Sequence, residues 1–220
     1  ASLQSDFQTL EFNHYDFSGL TLAGGIKDGK GDIDLLFKDE NLDVSLKALM
    51  ELDSSSSTVN MVLDLKGADL LALGITKEDI RAKLRLEANF EGNADAFHLK
   101  ADIEDGLVIY DSRSFPLGAF SAEGTARHDS TSLRVASRSL QMTVASNTSP
   151  ALLTAAIDRQ LDAYFADSAA TDTVLRKTTM EMALTIRQSP LLNEVLLPGL
   201  EQMDSVTITA TFDETNSTLE

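Results

Sequence analysis

Cysteine and tryptophan are missing from this 220-residue chain, and histidine occurs only three times. Without cysteine, disulfides, thiolate catalysis, zinc ribbons and iron–sulfur chemistry are excluded together. Basic residues are scarce: 18 Lys and Arg stand against 35 Asp and Glu, a formal net charge of −17. Nucleic-acid binding requires a basic face to neutralise phosphate, and electrostatic docking on anionic lipid headgroups requires the same, so the composition suits neither. Sugar sites stack their ligands on aromatic rings, and this chain offers three tyrosines and no tryptophan. No apolar run approaches the ~18 residues of a membrane-spanning helix, and no signal-peptide pattern opens the sequence. What is present is a hydrophobic fraction of 43% with ten phenylalanines. That is enough apolar material for a core and argues against wholesale disorder. We expect one β-rich domain over residues 1–220, an interior piece of a longer protein.

The dominant period is two. Leu42, Val44 and Leu46 alternate with Asp43, Ser45 and Lys47. Val59, Met61, Leu63 and Leu65 form the apolar side of the next run, followed by Leu84, Leu86, Ala88 and Phe90, then Phe97, Leu99, Ala101 and Ile103, then Leu140, Met142 and Val144. Each run has one apolar and one wet face, the pattern of antiparallel strands covered on one side. Turn signals separate them at Gly24-Gly25, Lys27 to Gly31, Asp39-Glu40-Asn41, Asp53 to Ser57, Glu91-Gly92-Asn93, Asp105-Gly106 and His128-Asp129-Ser130. The spacing predicts about twelve or thirteen strands, the density of a barrel, sandwich or long meander. Three segments depart from it. Gly67 to Asp79 reads as one short helical turn with Thr76-x-x-Asp79 as a loose capping box. Ser149-Pro150 opens a medium helix expected to run from Pro150 to Ala169, and Ser189-Pro190 opens a short one closed by Pro198-Gly199.

Sites for chemistry are sparse. Gly24-x-x-x-x-Gly29-Lys30 matches the start of a phosphate-binding loop, but Gly31 stands where Ser or Thr would hold magnesium, and a strand pattern follows where a helix is needed. It reads as a glycine-rich hairpin. Asp28, Asp32, Asp34, Asp39 and Glu40 fail the calcium-loop register, because Lys30 takes a ligand position and Ile33 the glycine position. His14, His98 and His128 have no metal-binding spacing and no nucleophile elbow beside them. No catalytic, cofactor or metal residues are assigned, and the chain reads as a non-enzyme.

Four stretches carry a family resemblance. Leu65 to Thr76 (LKGADLLALGIT), Leu84 to Asn93 (LRLEANFEGN), Tyr15 to Gly24 (YDFSGLTLAG) and Ser189 to Leu200 (SPLLNEVLLPGL) resemble, in kind and order, segments of Bacteroidetes-type TamB proteins of the AsmA-like superfamily. The resemblance implies a long curled antiparallel sheet, grooved, taco-like or roll-like, to which the residue pattern adds one medium and two short helices. It also implies an interior segment of a periplasmic protein whose full-length parent is anchored in the inner membrane. The family's roles are outer-membrane biogenesis, namely phospholipid transport and outer-membrane protein assembly with a partner barrel protein. The partners implied are therefore phospholipid acyl chains and, through the parent, an outer-membrane barrel assembly protein. The helix at Pro150–Ala169 departs from the family pattern.

Combining the alternation with this resemblance, we expect Val59, Met61, Leu63, Leu65, Leu84, Leu86, Phe90, Phe97, Leu99 and Ile103 to lie on one continuous apolar face that carries lipid acyl chains. The competing expectation is a periplasmic or surface binding module, adhesin-like, whose apolar faces close into an ordinary core.

Overall fold

The computed structural model describes residues 2–7, 11–12, 14–93, 95–165, 177–196, 204–214 and 218–219. Strands account for 65% of them, and all but two short ones join a single antiparallel sheet that does not close on itself.

The chain forms β1 (Ser2–Phe7), a small separate hairpin of β2 (Glu11–Phe12) and β3 (Tyr15–Asp16), then β4 (Leu20–Lys27), β5 (Lys30–Lys38), β6 (Leu42–Glu51), β7 (Ser57–Asp69), β8 (Ile80–Gly92) and β9 (Phe97–Tyr110). There follow β10 (Arg113–Pro116), β11 (Phe120–Arg127), β12 (Ser130–Ser137) and β13 (Leu140–Ser146), helix α1 (Pro150–Phe165), β14 (Thr179–Arg187), a π-helical turn (Leu192–Leu196), β15 (Ser205–Asp213) and β16 (Thr218–Leu219). From β4 onward each strand pairs with the next in sequence, with one exception. The far edge of β9 is shared: Phe97 to Ile103 pair with β11, and Leu107 to Tyr110 pair with β10.

The hairpins follow from local chemistry. Asp28 (φ 51°) and Gly29 (φ 78°) both adopt the left-handed region, the two-residue turn that matches strand twist. The phosphate-loop look-alike is therefore the β4–β5 hairpin. Asp39 Oδ1 accepts the amides of Asn41 and Leu42 at 2.8 and 2.7 Å, and Asp53 Oδ1 accepts Ser55 N at 2.8 Å. Carboxylates thus build these turns. Two expected turns are not turns. Gly24-Gly25 lies inside β4, opposite Ile33 and Asp32. Asp105-Gly106 is a bulge within β9: Asp105 takes φ 52°, and the pairing with β8 shifts by one residue there.

The medium helix is present as Pro150–Phe165, and the rest of the expected span, 166–169, lies outside the described residues. Ser149 precedes it as cap and Pro150 occupies its first position, as the sequence indicates; the Leu153 amide donates to the Ser149 carbonyl at 2.9 Å. Ser189-Pro190 likewise opens the π-helical turn, the Leu192 amide donating to Ser189 Oγ at 3.2 Å, while Pro198-Gly199 lies outside the described residues. Of the two short helices expected, the first is no more than a single helical turn: residues 70–74 form turns, with the Leu73 amide donating to the Asp69 carbonyl at 3.0 Å. Asp69, not Thr76, does the capping, its Oδ1 accepting the Ala72 amide at 3.0 Å. Gly74 (φ 68°) then turns the chain before a second helical turn can form.

Both helical segments are excursions between paired strands. Ser146 faces Met180 and Arg187 faces Ser205, so α1 leaves and returns at one end of the sheet and the π-helical turn at the other. Asn147 closes the first mouth, donating to the Lys177 carbonyl at 2.7 Å and accepting the Thr179 amide at 2.8 Å. Arg159 of α1 reaches past β15 to Glu214, with Nη2 2.5 Å from Oε1. Glu214 is buried. Burial alone would raise its pKa, but hydrogen bonds from Arg159 and Thr178 outweigh it and hold the carboxyl below its ordinary value.

The direction of that shift fixes a pH dependence. A depressed carboxyl stabilises the fold above its unfolded pKa, and the contribution is lost as pH falls through the folded value. Arg159→Met should lower stability at pH 7 by about 1–2 kcal/mol, discounted for the half-exposed guanidinium. The difference from wild type should shrink in acid as Glu214 protonates in both. Urea melts at pH 7 and pH 3 measure this, and an unchanged gap would refute the assignment.

Candidate functional site

Side chains of directly paired residues lie on the same side of a sheet. Leu65, Leu63, Met61 and Val59 of β7 face Leu84, Leu86, Ala88 and Phe90 of β8. Leu86, Ala88, Phe90 and Gly92 face Ile103, Ala101, Leu99 and Phe97 of β9. The register therefore brings all the residues assigned to the apolar face onto one side of three adjacent strands. The Phe90 and Phe97 rings meet with centroids 5.8 Å apart.

The face extends well beyond what the three sequence runs marked. One row of partners reads Leu22, Leu35, Leu46, Leu63, Leu86, Ile103 and Phe120. Its neighbour reads Gly24, Ile33, Ala48, Met61, Ala88, Ala101, Ala122, Val135, Met142, Leu184 and Ile208. A third reads Met50, Val59, Phe90, Leu99, Gly124, Leu133, Val144, Met182 and Ala210. From Ala48 to Ala122 the middle row is made almost wholly of small side chains, between rows of Leu, Ile, Val, Met and Phe. Period two within β5, β6, β12 and β13 was a usable signal for this extension. The pairing that aligns one run with the next was not in the sequence.

Burial is concentrated at the ends. At the strand ends on the same side of the sheet as the π-helical turn, Phe37 is 1% exposed, Phe115 4%, Ala68 5% and Leu73 6%. Phe17 covers Phe37 there, with ring centroids 5.2 Å apart, and the Tyr15 hydroxyl donates to Asp39. Desolvation, opposed by donors from Tyr15, Asn41 and Leu42, leaves the Asp39 carboxyl below its ordinary value. At the α1 end, Ala126, Leu153, Ala156 and Phe212 are buried. Between the ends the assigned residues are only half-buried, and Leu99 is 39% exposed. The accessible surface of 14,524 Å² compares with about 9,900 Å² for a compact monomer of this mass.

The opposite face carries charge pairs, two across strands (Lys30–Glu51 at 2.7 Å and Lys47–Asp34 at 3.5 Å) and two between i and i+2 along one strand (Arg85–Glu87 at 2.9 Å and Lys100–Asp102 at 3.1 Å). Asp32 and Asp34 belong to it, while Asp39 is committed to its turn, so the acidic cluster weighed for calcium is divided between two places. His14, His98 and His128 are all exposed. His98 Nδ1 lies 3.1 Å from Thr125 Oγ1 and its Nε2 lies 3.7 Å from Glu123. Among the described residues no group of three or more His, Asp or Glu is placed to hold a metal ion, and no helix is long and apolar enough to cross a membrane.

Replacing His14, His98 or His128 by Ala should change stability by about 0.5 kcal/mol or less, as at ordinary surface positions. Thermal melts with and without added zinc check this. A loss of several kcal/mol, or a zinc-dependent rise in Tm, would reveal a site at these positions. No family model matches the chain, and no curated protein and no solved structure matches it, so any function must be argued from its own residues.

Proposed function

We propose that this chain is a non-enzymatic segment of an envelope-spanning, AsmA/TamB-like protein, and that its apolar face carries phospholipid acyl chains between membranes. On this reading the segment is periplasmic, its parent is anchored in the inner membrane, and the parent works with an outer-membrane barrel assembly protein. The location and partners come from the sequence resemblance alone. The observation that carries the acyl-chain part is the pairing register. It sets apolar side chains in unbroken rows across the sheet, buried at both ends and half-exposed between them.

Three features favour a lipid track over a closed core. A core position is sealed from water, whereas Val59, Met61, Leu63, Leu86 and Ile103 are half-buried. An exposed apolar face of this extent on a soluble protein marks an interaction surface. The row of small residues between rows of large ones is a sheet surface shaped for a narrow, flexible apolar ligand lying across the strands.

Leu63→Asp and Leu86→Asp separate the two readings. On a lipid-facing wall each carboxylate keeps contact with water, so the loss in stability should stay near 1 kcal/mol while lipid passage is blocked. In a closed core the same change buries an unpaired charge and costs several kcal/mol or prevents folding. A photocrosslinking residue placed at Leu63 or Leu86 in cells should capture phospholipid, and one at Asn60 on the opposite face should not. Gross unfolding of both Asp variants together with no captured lipid would favour the closed module.

A further inference from the structure

The edge of the apolar face beneath the π-helical turn holds a cavity of about 530 Å³. This is a usual size for a site that takes a small organic ligand. Ile103, Phe115, Phe120, Leu140, Ile186 and Leu192 form its apolar walls. Its roof is tied down across a long stretch of chain. Arg113, beside β10's buried Phe115, forks onto Glu194 of the π-helical turn, with Nη2 2.9 Å from Oε1. The same guanidinium lies over the Phe115 ring at 5.3 Å from its centroid. The pair therefore fixes β10 and the π-helical turn over the end of the sheet, and Arg113's charge is spent on Glu194.

A second arginine at the cavity is not engaged in this way. Arg138, in the β12–β13 turn, lines both the cavity and the shallow depression outside it bordered by Glu87, Asp102 and Glu104. Among the described residues it forms no ion pair, although these carboxylates lie along the same depression. In a chain of net charge −17 the general field repels anions. An anion held here needs a local cation at the cavity mouth, and Arg138 is placed to be one.

We propose that this cavity is a terminal binding site for a single-chain anionic amphiphile, a long-chain fatty acid in its simplest form. The chain lies among Ile103, Phe120, Leu140 and Ile186, and the carboxylate meets the Arg138 guanidinium at the mouth. Arginine suits the role because its planar fork matches a carboxylate in two parallel hydrogen bonds. The inference rests on reading the face as an acyl-chain surface, and adds to it a place where a chain stops and the head group that the place selects. Continuity supports it: Ile103 and Phe120, the last members of the Leu22-to-Phe120 row, also line the cavity.

The probe is cis-parinaric acid, whose fluorescence rises in apolar surroundings, titrated against the intact chain beside its uncharged methyl ester. The acid should bind saturably and more tightly than the ester. Arg138→Gln and Arg138→Glu should each weaken the acid about tenfold or more, the worth of a charge-assisted hydrogen-bonded pair, and leave the ester unchanged. Unchanged ester binding also shows that the variants fold. Leu192→Trp, which fills the cavity, should weaken both ligands. Equal affinity for acid and ester, indifference to both Arg138 substitutions, or no saturable binding would overturn the proposal. Its failure is distinct from failure of the acyl-chain reading. Phospholipid captured from Leu63 and Leu86 with Arg138-independent parinarate binding leaves the track and removes the terminal site. Arg138-dependent parinarate binding with no capture at Leu63 or Leu86 does the reverse.

Discussion

The structure depends on one constraint, the two-residue period of the backbone pleat carried without a slip from strand to strand. A shift by one residue in any pair would turn that strand's apolar side chains to the charged face. The bulges show how closely this is kept. β7 holds an irregularity between Leu65 and Ala68, and β9 holds one at Asp105-Gly106. Each adds one residue, so that Ala68, Ala82 and Val108 meet on the apolar side beyond the break. Without the extra residue in β9, Leu107 and Ile109 would take the apolar side and Val108 the charged side. With it, Ile109 lies outside, 36% exposed. Gly106 permits this because a side chain there would collide with Leu117, whose Cδ1 would lie 2.6 Å from the added carbon.

A single layer of this kind is an unusual solution to the stability problem. Ordinary domains bury one apolar layer against another. Apart from Ala48 in the middle row, the buried residues gather near α1, near Phe17 and around β10, and the middle of the sheet relies on contacts between neighbours in the same rows. The hydrogen-bond ladder supplies cohesion along its whole length, but a half-covered face returns only part of the transfer free energy of about 25 cal/mol per Å². On the charged face Lys30, Lys47, Arg85 and Lys100 are paired with carboxylates, and the net charge of −17 keeps copies apart by repulsion. An apolar ligand on the apolar face would raise stability further by binding the folded state alone.

Much of this was legible in the sequence, for identifiable reasons. The alternation in Val59–Leu65, Leu84–Phe90 and Phe97–Ile103 marked the strands and their apolar side, because a one-sided sheet writes its burial into every second residue. Ser149-Pro150 and Ser189-Pro190 marked both helical starts, because caps and first-turn prolines act locally. What failed was also local. Gly24-Gly25 looks like a turn, but β5 approaches closely enough that a side chain at Gly24 would lie 2.6 Å from the Asp32 carbonyl oxygen. Asp105-Gly106 looks like a hairpin and is a bulge, because both devices use a left-handed residue and only the partner strand decides between them. The terminal cavity was not legible at all. Its walls come from β9, β10, β11, β13, β14 and the π-helical turn, and nothing in the spacing of those segments says that they meet.

If the face carries acyl chains, as proposed, its dimensions bear on how a chain would move along it. Neighbouring strands are spaced about 4.8 Å apart, so the path from β4 to β15 across eleven strands is roughly 48 Å long. An acyl chain fills about half of a hydrocarbon core that is ~30 Å thick, or about 15 Å. One chain therefore covers about a third of the face. A site evolved for retention would match its ligand in length and seal it. This face is longer than one acyl chain, and four of the five residues in the row from Ala48 to Ala122 are alanines. Displacing a chain by one strand exchanges one set of apolar contacts for an almost equal set, so the energy along the row is close to flat. Half-burial keeps each contact weak enough to exchange, and repetition across the strands keeps their sum large enough to hold the chain out of water. Transfer along a surface requires that combination, and a closed core would exclude it.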